Sequence, residues 1–144
     1  MDKETLTDVL AKHQLWRNGE PGGVRADLTR ADLTRANLTR ANLAWANLTG
    51  ANLAWANLTG ADLQTRDGQR LTLTGRRPFL SIGPIGSRDG ILMLFYTDRG
   101  IYVRAGCFWG SLDAFADAVQ DTHGDSEHGR DYRAAIVLAQ TVLG

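Results

Sequence analysis

Three stretches of the chain carry residue types that can do chemistry. Between Ile82 and Arg88, IGPIGSR brings Gly83, Gly86 and Ser87 together. Glycine-rich backbone can turn several N–H groups toward one anion, and Arg88 with Arg104 can supply the countercharge. The stretch lacks the Lys-[Ser/Thr] ending of a P-loop, so a structural turn and an anion-binding loop both fit it. THGDSEHG groups His123, Asp125 and His128. A metal needs three or four converging ligands, and a gap of five between the histidines matches no zinc pattern. Helix capping by Asp125 or Ser126 accounts for these residues, and no metal is expected. Cys107 has the histidines of a Cys-His nucleophile downstream, yet it lies in an apolar, strand-like run where a buried inert thiol is expected. Neither catalysis nor a cofactor is expected.

The element that must organise these stretches runs from Ala26 to Leu63, an unbroken repeat in register five. Leucine falls at 28, 33, 38, 43, 48, 53, 58 and 63, with alanine two residues before each and Asp or Asn between. This period matches neither the 3.6 of a helix nor the 2.0 of a strand, so the chain must turn at regular intervals to keep every Leu on one side. The result is a solenoid with Leu and Ala inside.

The motif A-[DN]-L-x-x, in eight consecutive units, resembles the pentapeptide-repeat family. The resemblance implies a mainly β fold, a short right-handed quadrilateral β-helix with four units per coil. Eight units are then about two coils, with residues twenty apart stacked about 4.8 Å from each other. So short a solenoid leaves both ends of its Leu column open, and the rest of the chain is expected to cap it. In the fifth position of each unit, Trp45 is expected above Arg25 and Trp55 above Arg35, where each indole can cover a guanidinium. Gly50 and Gly60 fall above Arg30 and Arg40, leaving those two arginines uncovered. Trp45 and Trp55 are either ordinary surface aromatics or a partner interface.

Around the repeats, ETLTDVLAKHQLWR predicts a helix over 4–17 with Leu6, Val9, Leu10, His13 and Trp16 on one face and a Thr5/Asp8 capping box. His13 is expected to pack on that face. After Leu63, Gly68 stands where Leu is due, and Leu73 returns in register, so RLTLTG is expected to add a strand to the stack. From Pro78 the pattern becomes a hairpin around Asp-Arg-Gly, with Leu80 to Ile82 as a possible third strand, then a helix capped by Ser111 and stopped by Gly124, then a helix from about Ser126 to Leu143. The expected organisation is a capping helix and linker over 1–24, repeats over 25–77 and a small β-β-α-α unit over 78–144.

The 144 residues balance 16 Lys and Arg against 16 Asp and Glu. One cysteine excludes an internal disulfide, and no stretch has the apolar length of a signal or membrane span, so a cytoplasmic protein without membrane contact is expected. Some proteins with such repeats imitate duplex DNA. Two coils, about 10 Å long, would need about six net negative charges to do so, whereas residues 25–66 hold three Asp and five Arg. A DNA mimic is therefore the weaker reading, and direct DNA binding is not expected.

IGPIGSR, RAGCFWGSLDAF and THGDSEHGRDY, together with the opening KHQLWRNGEPGGVRADL, are similar to small pentapeptide-repeat proteins of phage and prophage origin. The resemblance implies a phage-associated accessory protein. The expected function is binding without catalysis, as a homo-oligomer. A small anionic ligand such as a host nucleotide signal would be captured by the C-terminal unit, on a solenoid scaffold, with Gly83, Gly86, Ser87 and Arg30, Arg40, Arg88 or Arg104 as its contacts. The alternative is an inhibitor of a host protein, docking through Trp45, Trp55 and the C-terminal unit.

Overall fold

Each pentapeptide closes through a turn whose chemistry is written in its own residues. The N–H of Ala31 donates to the Leu28 carbonyl at 3.0 Å, and the same bond recurs at 3.0 Å from Ala36 through Ala61. The fifth residue of each unit carries a positive φ, from 57° at Arg30 to 72° at Gly60. A positive φ there is what a type II turn requires at its third residue. The second residue explains why only Asp or Asn is used. Its Oδ1 accepts the N–H two residues on, at 3.0 Å for Asp27 and Asp32 and 3.1 Å for Asn37 and Asn42. This local bond holds the corner.

Parallel bridges pair Asp27 with Asn47, Asp32 with Asn52, Asn37 with Asn57 and Asn42 with Asp62. The separation is twenty residues each time. Leu28 N–H donates to the Asn47 carbonyl at 2.8 Å, and Asn47 N–H to the Ala26 carbonyl at 3.0 Å. The segment is thus β-helix-like, and all eight repeat leucines lie inside, none more than 4 % exposed.

The computed structural model describes residues 1–87 and 90–144. Contacts divide them into Met1–Gln64 with Gly68–Thr72, and Thr65–Asp67 with Leu73–Gly144. In the first unit, helix α1 (Lys3–Arg17) is capped by Asp2, whose carboxylate accepts Thr5 N–H at 2.7 Å. The expected Thr5/Asp8 box is not the cap, because the helix starts two residues before Thr5. Leu6 and His13 are buried and Val9 and Leu10 half-buried, while Trp16 is 38 % exposed. Gly23 lets the returning chain pass close to α1, since a Cβ there would come within 2.3 Å of the Trp16 nitrogen.

RLTLTG does not extend the parallel stack. Strands β1 (Asp62–Gln64) and β2 (Arg70–Thr72) form an antiparallel hairpin, Leu63 opposite Leu71. Leu73 instead pairs with Thr97 in the second unit. The Gly68 turn reverses the strand where the fifth-residue corner would have advanced it.

The second unit holds an antiparallel sheet of β3 (Phe79–Ile85), β4 (Gly90–Thr97), β5 (Gly100–Ala105) and β6 (Phe108–Ser111), in that order, followed by α2 (Leu112–His123) and α3 (Glu127–Val142). It has four strands where the sequence suggested two or three. The run GIYVRAGCFWG breaks at Gly106-Cys107, and Gly106 takes a φ of 58°. Cys107 is therefore an exposed turn residue, not a buried strand thiol. Ser111 caps α2 by accepting Ala114 N–H, and Ser126 caps α3 by accepting Gly129 N–H.

Leu92, Leu94 and Val103 on one sheet face pack with Phe115 and Val119 of α2 and Ala135, Ile136 and Ala139 of α3. The opposite face carries Phe79, Phe95, Tyr102 and Trp109, with ring centroids 5.3 to 5.9 Å apart. Among the described residues no helix is long and apolar enough to cross a membrane.

Candidate functional site

The glycine stretch and its two arginines do not converge. Arg88 lies outside the described residues. Arg104 on β5 stacks over the Trp109 ring at 5.0 Å, on the sheet face opposite the helices, because alternate strand residues point to opposite sides. Gly86 is buried against α3: a Cβ on it would stand 1.9 Å from the Tyr132 hydroxyl. Gly83 and Gly86 line a cleft that also carries Glu127 and Asp131, two carboxylates that oppose an anion there. Ser87 is exposed beside them. Capping by Ser126 and the ring contacts of His123 with His128 and Tyr132, at 5.8 and 5.5 Å, account for the THGDSEHG loop. Among the described residues no group of three metal-type side chains forms.

The arginines of the repeats give a different picture. Gly60 stacks over the stem of Arg40, with its Cβ position 3.1 Å from Arg40 Cγ, and Gly50 stacks over Arg30 at 3.3 Å. Both arginines are exposed. Arg40 opens onto a polar cleft of about 400 Å³, lined by Arg17, Arg70, Asp62 and the amides of Gln14, Asn42 and Gln64.

Each wall of this cleft is held from the fold. Arg17 comes from the last turn of α1, where a cation complements the carbonyl end of the helix. Gln14, one turn earlier, donates to Asn18 Oδ1 and accepts from Asn42 Nδ2, both at 3.2 Å. Gln64 is buried and accepts Trp45 N–H at 2.6 Å. Arg70 is held against Asp62 by two contacts of 2.9 Å, so this pair is neutral. The cleft retains two positive charges, Arg17 and Arg40, neither of which joins a salt bridge among the described residues.

Beneath the cleft, His13 fixes α1 to the first repeats. Its ring is fully buried, with Nδ1 accepting Ala26 N–H at 2.9 Å and Nε2 donating to the Ala44 carbonyl at 2.8 Å. Burial, reinforced by the charges of Arg17 and Arg25, holds its pKa below the ordinary histidine value. The ring is neutral at pH 7. Asp27 is held below the usual carboxylate range by the Thr29 hydroxyl and N–H, and Asp32 by the corresponding bonds from Thr34.

Trp45 and Trp55 differ. Trp45 is half-buried beside the Gly68 turn, and Arg25 Nε donates to its carbonyl oxygen; a cation–π contact is found instead at Trp109, from Arg104. Trp55 is 85 % exposed and sits at φ 62°, a left-handed conformation that costs a residue with a Cβ about 1–2 kcal/mol. Glycine fills the equivalent corners at 50 and 60. Trp55→Gly is therefore expected to leave the melting temperature unchanged or raise it, by up to about 1 kcal/mol of stability after the entropy cost of glycine is counted. A thermal melt checks this.

Little in the sequence points to Arg17 or Arg70, since each lies outside the repeat and their convergence exists only after folding; the one signal for Arg17 is its place at the cationic end of a predicted helix. Residues 26–64 match the family model for pentapeptide repeats, in eight copies. No curated protein and no solved structure matches the chain.

Proposed function

We propose that this pentapeptide-repeat protein is a non-enzymatic binder that captures a small anion bearing phosphate or carboxylate groups, such as a nucleotide, in the cleft of Arg17 and Arg40. The observation that carries the reading is the pair of unbridged guanidinium groups facing one polar cleft among three amides. Guanidinium forks match phosphate and carboxylate oxygens, and the amides can orient the rest of the ligand. The cleft volume of about 400 Å³ lies within the range of small-molecule sites. Sequestration of a host nucleotide signal by a phage-type accessory protein is the role such a site would suit. The repeats would serve as a right-handed quadrilateral scaffold of two coils, a geometry supported by the twenty-residue spacing of the bridges.

The test is a thermal-shift screen against ATP, GTP, cyclic AMP, cyclic dinucleotides and inorganic phosphate. A ligand at a hundred times its Kd stabilises the fold by about 2.7 kcal/mol, a shift of several degrees. That shift is expected for at least one nucleotide, and Arg17→Gln or Arg40→Gln should remove most of it. A flat screen would overturn the reading.

A second reading has its own support. Trp55 is 85 % exposed, and a large aromatic held in solvent at a fixed corner of the repeat favours a contact with a protein partner. That reading predicts loss of function in Trp55→Gly with stability intact, and no effect at Arg40.

A further inference from the structure

We infer that the free edge of β3 and the adjoining groove against α3 form a docking site for an extended peptide segment carrying a Lys or Arg side chain, bound by strand addition. β3 is an edge strand, paired only with β4. Tyr96 N–H donates to the Pro78 carbonyl at 2.8 Å, and the register pairs Leu80 with Leu94 and Ile82 with Leu92. In an antiparallel ladder the hydrogen-bonded and non-bonded pairs alternate. Pro78, Leu80 and Ile82 therefore turn their backbone groups toward β4, while Arg77, Phe79 and Ser81 turn theirs outward.

The chain itself displays the outward pairing. Arg77 N–H donates to the Gly144 carbonyl and Gly144 N–H to the Arg77 carbonyl, each at 3.1 Å, so Gly144 pairs with this edge at one point as an added strand would. Beyond it, among the described residues, Phe79 and Ser81 make no backbone hydrogen bond outside the sheet. An edge with unpaired N–H and C=O groups is a template for another strand.

The groove supplies selectivity. It offers about 570 Å³ between the end of β3 and the stretch of α3 from Glu127 to Leu138. Ile82, Ile85, Ala135 and Leu138 give it an apolar floor, and Glu127 and Asp131, one helical turn apart, give it an acidic wall. Leu138 is 45 % exposed, so part of that floor faces solvent. Charge complementarity selects a cation at the acidic wall, and alternate side chains of an added strand would reach the apolar floor. The occupant is therefore an extended peptide with one basic residue flanked by apolar ones.

The test uses fluorescein-labelled random heptapeptide pools with the central residue fixed as Lys, Ala or Glu, titrated by polarisation against the full chain. The Lys pool is expected to bind at least tenfold more tightly than the Glu pool. Glu127→Gln with Asp131→Asn should erase that preference. Ser81→Pro removes an outward N–H while leaving the β4 ladder intact, which an edge strand tolerates, and should weaken binding at least tenfold. Should Ser81→Pro fail to fold, hydrogen exchange on the unaltered protein replaces it, with slowing of the Ser81 amide by the Lys pool as the expected result. Equal binding of all pools, binding of none, or an unprotected Ser81 amide would overturn the inference. So would a concentration-dependent dimer abolished by Ser81→Pro, which would assign the edge to a second copy.

Discussion

Leu38→Ala is expected to lower the unfolding free energy of the repeat unit by about 3–5 kcal/mol, in the upper part of the range for buried leucines. Leu38 is fully buried, as are Leu33, Leu43 and Leu58 around it in the repeat. What sets the size of the effect is how little the site can close. Leu38 N–H is tied to the Asn57 carbonyl at 2.8 Å, Ala41 N–H to the Leu38 carbonyl at 3.0 Å, and the corner that follows is held by Asn37. The backbone on every side is fixed by these bonds, so the lost side chain leaves a cavity instead of a collapsed core. Leu138→Ala, at a residue 45 % exposed, should cost less than about 1 kcal/mol by the same reasoning. Urea unfolding of the two variants checks this, with two probes because the chain has two units and need not unfold in one step. Equal effects at 38 and 138 would contradict the leucine column.

Acid should weaken the same unit through His13. The ring is neutral in the fold because Nδ1 accepts Ala26 N–H, and protonation removes that acceptor. Burial lowers the folded pKa below the ordinary value of about 6.5. The unfolded chain therefore binds the proton first as pH falls. Stability from this group is complete above about pH 6.5 and declines below it, at up to about 1.4 kcal/mol per pH unit until the folded form also protonates. Asp27 and Asp32, whose folded pKa values are lowered by their Thr partners, act in a separate window: their contribution is present above the ordinary carboxylate value and lost only as pH falls below it. Urea unfolding between pH 8 and 5 should thus show a flat upper region and a fall beginning near 6.5. His13→Gln should be less stable at pH 8 yet lose that fall. A fall of equal slope in His13→Gln would assign it to other groups.

The parts of the fold legible in the sequence are those where one residue type answers one local demand. A period of five with Leu, Ala and Asp or Asn in fixed places encodes an inward face, a packed corner and the bond that holds the corner. Ser111, Gly124 and Ser126 likewise mark helix ends at their own positions. What escaped were features decided by competition or by distant convergence. Asp2 and Thr5 are both adequate caps, and the extra turn gained by starting at Lys3 favours Asp2. GIYVRAGCFWG is apolar throughout, so nothing in its periodicity marks the reversal at Gly106-Cys107; only the glycine, in its left-handed conformation, did. The anion reading from IGPIGSR counted glycines and arginines along the chain. Strand alternation puts Arg104 on one face, while the glycines border a groove with an acidic wall. Arg40 was visible as the guanidinium left beside a glycine corner, but its partner Arg17 reaches the cleft from a helix twenty-three residues earlier.

The most direct measurement is a calorimetric titration of the best nucleotide from the screen into the unaltered chain, Arg17→Gln with Arg40→Gln, and Arg104→Gln. Capture in the repeat cleft predicts binding to the unaltered chain and to Arg104→Gln with similar Kd, weakened at least tenfold in the Arg17/Arg40 pair and by added salt. Unchanged affinity in that pair, or loss at Arg104 alone, would contradict it.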